Sequence, residues 1–157
     1  MKKLIILLLL PLFSQAQVYT SIGIDPKMAL KGAYEYDTTP SLDITSTTVY
    51  KWKYYEVGAS VEYADIDYLG VYIVANQIMP ITKGLELYAG VEVGVVNRFK
   101  KSWHDCAGGN YGVRLVGDKW GIYVGGNIRN RSDFKGRVGY PSDNWVKSGQ
   151  IGIIFKI

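Results

Sequence analysis

The sequence predicts an all-β fold, an eight-stranded antiparallel up-and-down transmembrane β-barrel. Three observations carry that expectation. After residue 17 the apolar residues alternate with period 2 and nowhere keep a 3.6-residue repeat. The alternating runs are separated by clusters of Gly, Pro, Asp and Asn. The connections between runs, taken alternately, form one set that is short in total and one that is long, as the two ends of an outer-membrane-type barrel do.

Residues 1–16 stand before the fold. MKKLIILLLLPLFSQA joins two lysines to an apolar run from Leu4 to Phe13 and ends with small residues at Ser14 and Ala16, the pattern of a signal peptide cleaved after Ala16. A spanning helix needs about 20 apolar residues, and this run is half that length. A lipoprotein needs a cysteine at the cleavage point, whereas the single cysteine, Cys106, lies far downstream. The barrel domain is therefore expected over 17–157, exported from the cytoplasm.

Eight segments follow in order. The first, 17–24, stops at Asp25-Pro26. Segment 41–51 opens after Pro40, and 54–64 ends before Asp65. Segment 68–78 closes ahead of Pro80, and 85–97 opens after Gly84. In this fifth run Leu85, Leu87, Ala89, Val91, Val93 and Val95 share one face, while Glu86, Tyr88, Gly90, Glu92 and Gly94 share the other. Segment 110–117 lies between Gly108-Gly109 and Asp118. In 120–130, Trp120, Ile122, Val124 and Ile128 oppose Tyr123, Gly125, Asn127 and Arg129. In 147–157, Ile151, Ile153, Phe155 and Ile157 oppose Ser148, Gln150, Gly152 and Lys156. Most of these runs match the roughly 9–11 residues a tilted strand needs to cross a bilayer.

With these boundaries the connections contain 16, 2, 3, 6, 12, 2 and 16 residues in order. The second, fourth and sixth total 10 residues and the other four total 47; alternate connections lie at opposite ends of an antiparallel barrel, so one end carries tight turns and the other the long loops at 25–40, 98–109 and 131–146.

Composition separates the two faces. A soluble barrel presents charged and polar residues outward. Here the polar face is instead rich in glycine, with Gly58, Gly70, Gly90, Gly94, Gly112, Gly121, Gly125 and Gly152 in its register beside Tyr72, Tyr88 and Tyr123. Glycine makes room where backbone and large side chains crowd. The same face holds Glu56, Glu62, Glu86 and Glu92 against Arg98, Arg114, Arg129 and Lys156, a balanced set suited to pairing in a closed lumen. The apolar face carries aromatics towards its ends. Tyr50, Trp52, Tyr55, Trp120 and Phe155 fall near the short turns, and Tyr63, Tyr111 and Trp145 near the long loops. Such girdles mark lipid headgroup levels, so the apolar face is expected to meet lipid.

The leader, the alternating strands and the closing GQIGIIFKI together resemble the small eight-stranded outer-membrane β-barrel proteins of the OmpX and OmpA-domain type. The resemblance covers the whole of 17–157 and is architectural. It implies residence in the outer membrane and recognition of the last strand by the outer-membrane assembly machinery. In that group the last strand usually ends on an aromatic residue, whereas this chain ends on Ile157 with its aromatic at Phe155.

Composition excludes several other functions. One Cys and one His cannot build a Cys/His zinc site or an internal disulfide. Without Lys2 and Lys3 the balance is 16 basic to 14 acidic residues, too even for nucleic acid. No phosphate loop or other cofactor motif is present, so no cofactor is expected. Reactive side chains cluster only at Trp103-His104-Asp105-Cys106, in the expected loop 98–109, with no orienting partner for a nucleophile. An eight-stranded lumen is filled by its own side chains, so its charges read as structural. The expected role is therefore structural or a surface interaction made by the long loops, without catalysis. Candidate contacts are Tyr34, Tyr36, Trp103, Phe134 and Tyr140, facing an unidentified surface ligand. Two alternatives remain. Some barrels of the resembling group modify lipid A through His and Ser, for which His104 and Ser102 are the available pair. A soluble, lipocalin-like ligand carrier is the other.

Overall fold

The computed structural model describes residues 17–31, 40–65, 68–98, 102–134 and 145–157. The leader 1–16 and the loop residues Tyr34, Tyr36 and Tyr140 lie outside these. Eight strands, β1 (Gln17–Ile24), β2 (Asp43–Trp52), β3 (Tyr55–Ala64), β4 (Tyr68–Pro80), β5 (Leu85–Arg98), β6 (Trp103–Val116), β7 (Trp120–Arg131) and β8 (Trp145–Lys156), pair antiparallel in sequence order. β8 returns to pair with β1, closing the barrel. Every strand thus has two neighbours, which satisfies the backbone without an open sheet edge in the bilayer.

Alternation decides which side chains enter the barrel. Tyr72, Val74 and Val96, with Glu62, Glu92 and Arg129, are buried in the lumen. Their sequence neighbours Ile73, Val91 and Val93 point outward and are 68%, 60% and 59% exposed. The outer wall is apolar and the interior polar, the reverse of a water-soluble barrel.

The connections β2–β3, β4–β5 and β6–β7 hold two, four and three residues, and all lie at one end. The β4–β5 turn needs a glycine. Gly84 has φ of +88°, a conformation that costs other residues steric strain, and its carbonyl accepts from Val116 N at 2.7 Å, tying the turn to β6.

The opposite end departs from expectation at two places. β6 begins at Trp103, seven residues before the expected start, and pairs with β5 from Asn97↔Trp103 through Leu85↔Leu115. Gly108 and Gly109 read as a break but sit inside the ladder, because a glycine on the lumenal side leaves room for Arg129, whose Cα lies 2.8 Å from where a Cβ on Gly108 would stand. The expected loop 98–109 thus shrinks to the four residues between Arg98 and Trp103, and only the connections after β1 and after β7 are long. The second departure is helix α1 (Pro26–Lys31) within the expected loop 25–40. Asp25 Oδ1 accepts from Lys27 N at 2.8 Å and from Met28 N at 3.3 Å, an N-cap with proline at the first helical position. Met28 is buried in the core cluster, so the helix folds inward at the barrel mouth. There β8 extends past the end of β1, whose last pair is Ile24↔Ile151, and α1 lies against β8.

Candidate functional site

Two ion-pair clusters, stacked along the lumen, organise its interior. Near the short turns, Glu86 bonds Lys51 and accepts from Arg114 Nε at 2.7 Å, while Arg114 Nη1 donates to Glu56 at 2.8 Å. Asn76 donates to the other Glu56 oxygen at 2.8 Å. Further up, Arg129 bonds both Glu62 and Glu92, and Tyr68 donates its hydroxyl to Glu62 at 2.6 Å. The guanidinium of Arg129 lies 4.1 Å from the centre of the Tyr72 ring, a cation–π contact in a site shielded from water. Between the clusters is a chamber of about 70 Å³, bordered by Ser21, Thr47, Ser60, Asn110 and Asn127.

A third group closes the mouth. Asp133, in the 3-10 turn Ser132–Phe134, accepts from Arg98 Nε at 2.6 Å and from Arg131 Nη2 at 2.9 Å. Burial alone would raise the Asp133 carboxyl, but hydrogen bonds and charge from Arg131, and then from Arg98, hold it below its ordinary value. Arg131 also stacks 3.9 Å from the Tyr68 ring centre.

The lumenal tyrosines lie along rows of glycine. Tyr88 of β5 sits in one register row with Gly112 and Gly125, and its hydroxyl would be 2.6 Å and 2.2 Å from Cβ atoms placed there. Tyr123 covers Gly152 and Gly23 in the same manner, and Tyr72 covers Gly94 and its own neighbour Gly70. The rings thereby fill the section of the barrel that a wider lumen would leave to water.

Of the expected lumenal set, Glu56, Glu62, Glu86, Glu92, Arg98, Arg114 and Arg129 all enter these ion pairs. Lys156 does not. It has lumenal register but stands exposed at the short-turn rim and joins no ion pair among the described residues. Lys51, Arg131 and Asp133 were missed. Lys51 shares the register of Val49, and Arg131 that of Arg129, so continuing the alternation two residues further would have found both.

Among the outward aromatics, Tyr50, Tyr55, Trp120 and Phe155 are exposed near the short turns, with Trp52 beside Tyr55. Tyr63 and Trp145 are exposed towards the other rim. Tyr111 is not at that rim. The earlier start of β6 puts it mid-strand, opposite Ala89, with its ring over Gly126. Trp103 takes the rim position instead. It is the first residue of β6, outward and 54% exposed, and not a loop contact. Phe134 ends the 3-10 turn.

The reactive cluster is dispersed by the strand. Cys106 is buried on the lumenal side and Asp105 faces outward. His104 exchanges a hydrogen bond with Ser102 at 3.2 Å, and no described carboxylate orients its ring. Among the described residues no group of three or more His, Cys, Asp or Glu is placed to hold a metal.

No family model and no curated protein matches the sequence. Solved structures match the fold. A de novo designed transmembrane β-barrel aligns over 90% of this chain and 95% of its own, with TM-score 0.56 and 12% identity. The Yersinia pestis outer membrane protein Ail aligns over 90% of this chain and 99% of its own, with TM-score 0.56 and 13% identity. Neisserial surface protein A aligns over 90% and 94%, with TM-score 0.52 and 12% identity. The chain therefore has the fold of the small eight-stranded outer-membrane β-barrels, natural and designed, while sharing little of their sequence.

Proposed function

We propose that the protein is exported by the leader 1–16, inserts into the outer membrane with its short turns inward, and serves as a structural or surface-interaction protein without catalytic activity. The observation that carries this reading is the inversion of polarity, an apolar outer wall around a lumen sealed by its own ion pairs and tyrosines. A wall committed to lipid and a filled lumen leave the loop end as the surface open to a ligand. The names of Ail, an outer membrane protein, and of Neisserial surface protein A agree with such a location. Membrane lipid and the outer-membrane assembly machinery are the partners this reading requires, and a cell-surface or matrix ligand is the further partner it invites.

The test replaces residues 32–39 and 135–144 with short Gly/Ser linkers, leaving Asp25, Met28 and Asp133 in place because they pack into the mouth. The trimmed barrel is expected to fold and to lose binding to cells or matrix. A trimmed barrel that binds as strongly as the parent contradicts the interaction role.

A further inference from the structure

The short-turn end of the barrel carries a ring of positive charge. Each of the three short turns presents one exposed lysine, Lys53 between β2 and β3, Lys83 between β4 and β5, and Lys119 between β6 and β7. Lys156, at the end of β8, is exposed as well, and its backbone N donates to the Lys119 carbonyl at 3.0 Å. Because the turns recur every two strands around a closed barrel, the lysines are spread along its circumference.

The carboxylates of this end leave that charge in place. Glu56 and Glu86 lie in the lumen and are taken by Arg114 and Lys51. Asp118 is the one acid in the short turns, and among the described residues none of the four lysines forms an ion pair. Four lysines against one aspartate leave a side-chain charge of +3 on this rim, whereas the whole of 17–157, with 16 basic and 14 acidic residues, nets only +2.

The ring stands directly beyond the aromatic girdle. Lys53 follows Trp52, Lys119 precedes Trp120 and Lys156 follows Phe155, three aromatics in outward register. Such rings mark the headgroup level, so a lysine next to one, on its long flexible stem, carries its ammonium into the phosphate layer. A soluble polyanion would need the charges gathered on one face. Dispersed along the rim, each meets a different lipid.

We propose that this ring binds phospholipids of net negative charge, such as phosphatidylglycerol, in the leaflet that surrounds the short turns. Each ammonium donates to a headgroup phosphate, and the net charge of the rim selects anionic over zwitterionic neighbours. The inference rests on the lipid-facing reading of the outer wall.

Tryptophan quenching tests it, since Trp52 and Trp120 lie at this end and Trp103 and Trp145 at the other. The full chain carrying Trp103→Phe and Trp145→Phe is inserted into vesicles of phosphatidylcholine and phosphatidylglycerol in equal parts, with bromine on the acyl chains of one lipid or the other. Both leaflets have the same composition, so the direction of insertion does not matter. Quenching by each brominated lipid gives its occupancy beside the ring. Phosphatidylglycerol is expected to exceed phosphatidylcholine about fivefold, the effect of one lysine at an anionic surface, and the preference should shrink in about 1 M salt. Adding Lys53→Gln, Lys83→Gln, Lys119→Gln and Lys156→Gln together should bring the two lipids to parity. Equal occupancy at low salt with the four lysines in place overturns the proposal, and so does a preference that the quadruple Gln variant keeps. A chain that fails to insert into the vesicles overturns the membrane-spanning reading beneath it.

Discussion

Replacing Arg129 with Met removes the hub of the upper lumenal cluster while keeping a flexible, unbranched side chain in place of the arginine stem. Arg129 is 3% exposed and bonds Glu62 and Glu92, themselves 0% and 3% exposed. Glu62 would keep the Tyr68 hydroxyl at 2.6 Å, but Glu92 would lose the ion-pair partner it has among the described residues. Breaking a buried ion pair costs about 3–5 kcal/mol, because the remaining charge stays buried without compensation. Loss of the contact with Tyr72 adds about 0.5–2 kcal/mol, offset in part by relaxation. The expected destabilisation is therefore about 3–5 kcal/mol, a change of two powers of ten or more in the unfolding equilibrium. Urea unfolding of the vesicle-inserted barrel, followed by tryptophan fluorescence, measures it. A triple variant, Arg129→Met with Glu62→Gln and Glu92→Gln, should recover most of the loss, since exchanging a whole buried ionic set for neutral groups is often neutral. If Arg129→Met alone costs less than about 1 kcal/mol, the value of a solvent-exposed pair, the lumen is hydrated and the sealed interior is wrong.

Three further perturbations probe other parts of the structure. Val91→Arg puts a charge on the outer wall at mid-strand and should cost about 2–4 kcal/mol and impair insertion. The neighbouring Glu92→Gln, facing inward, should leave insertion intact, and fractionation of the envelope compares them. At the mouth, the depressed Asp133 carboxyl stabilises the folded state above its unfolded value near about pH 4, and that contribution is lost as pH falls through the lower folded value. Acid should therefore speed cleavage in the β7–β8 connection by an acid protease, and Asp133→Asn should make cleavage insensitive to pH in that range. Gly125→Ala places a methyl 2.2 Å from the Tyr88 hydroxyl and should destabilise the barrel by about 1–3 kcal/mol through overpacking. Adding Tyr88→Phe should return part of the loss, as a double-mutant cycle would register.

Period-2 alternation made the barrel legible because it reports a physical constraint, one face to lipid and the other to the lumen. Glu86, Glu92, Arg114 and Arg129 were placed on the inward side by parity alone, and the glycine rows under Tyr72, Tyr88 and Tyr123 were visible as an excess of glycine on a polar face. Where the reading faltered, local chemistry overruled the punctuation rule. Gly108-Gly109 is a turn signal in isolation, but within a crowded barrel it is the means by which β6 passes Arg129. Asp25-Pro26 did mark the end of β1, yet the same pair caps a helix whose buried residue, Met28, has no periodic signature in a single turn. The ion pairs at the mouth were hidden because their carboxylate, Asp133, lies past the end of β7, where alternation gives way to the 3-10 turn. Pairing between strands also lay beyond the alternation pattern, so which lumenal side chains meet, Arg114 with Glu56 and Glu86 and Arg129 with Glu62 and Glu92, emerged only with the registers.

The central claim, that this barrel turns its apolar wall to lipid, is tested most directly by refolding the purified chain with lipid vesicles, washing them with urea, and comparing unheated and boiled samples by gel electrophoresis. The account predicts that the protein floats with the washed vesicles and that the unheated sample migrates differently from the boiled one, because a closed barrel with internally paired backbone resists detergent. A chain that folds in buffer without lipid or detergent, leaves the vesicles on washing and migrates alike in both samples would contradict it.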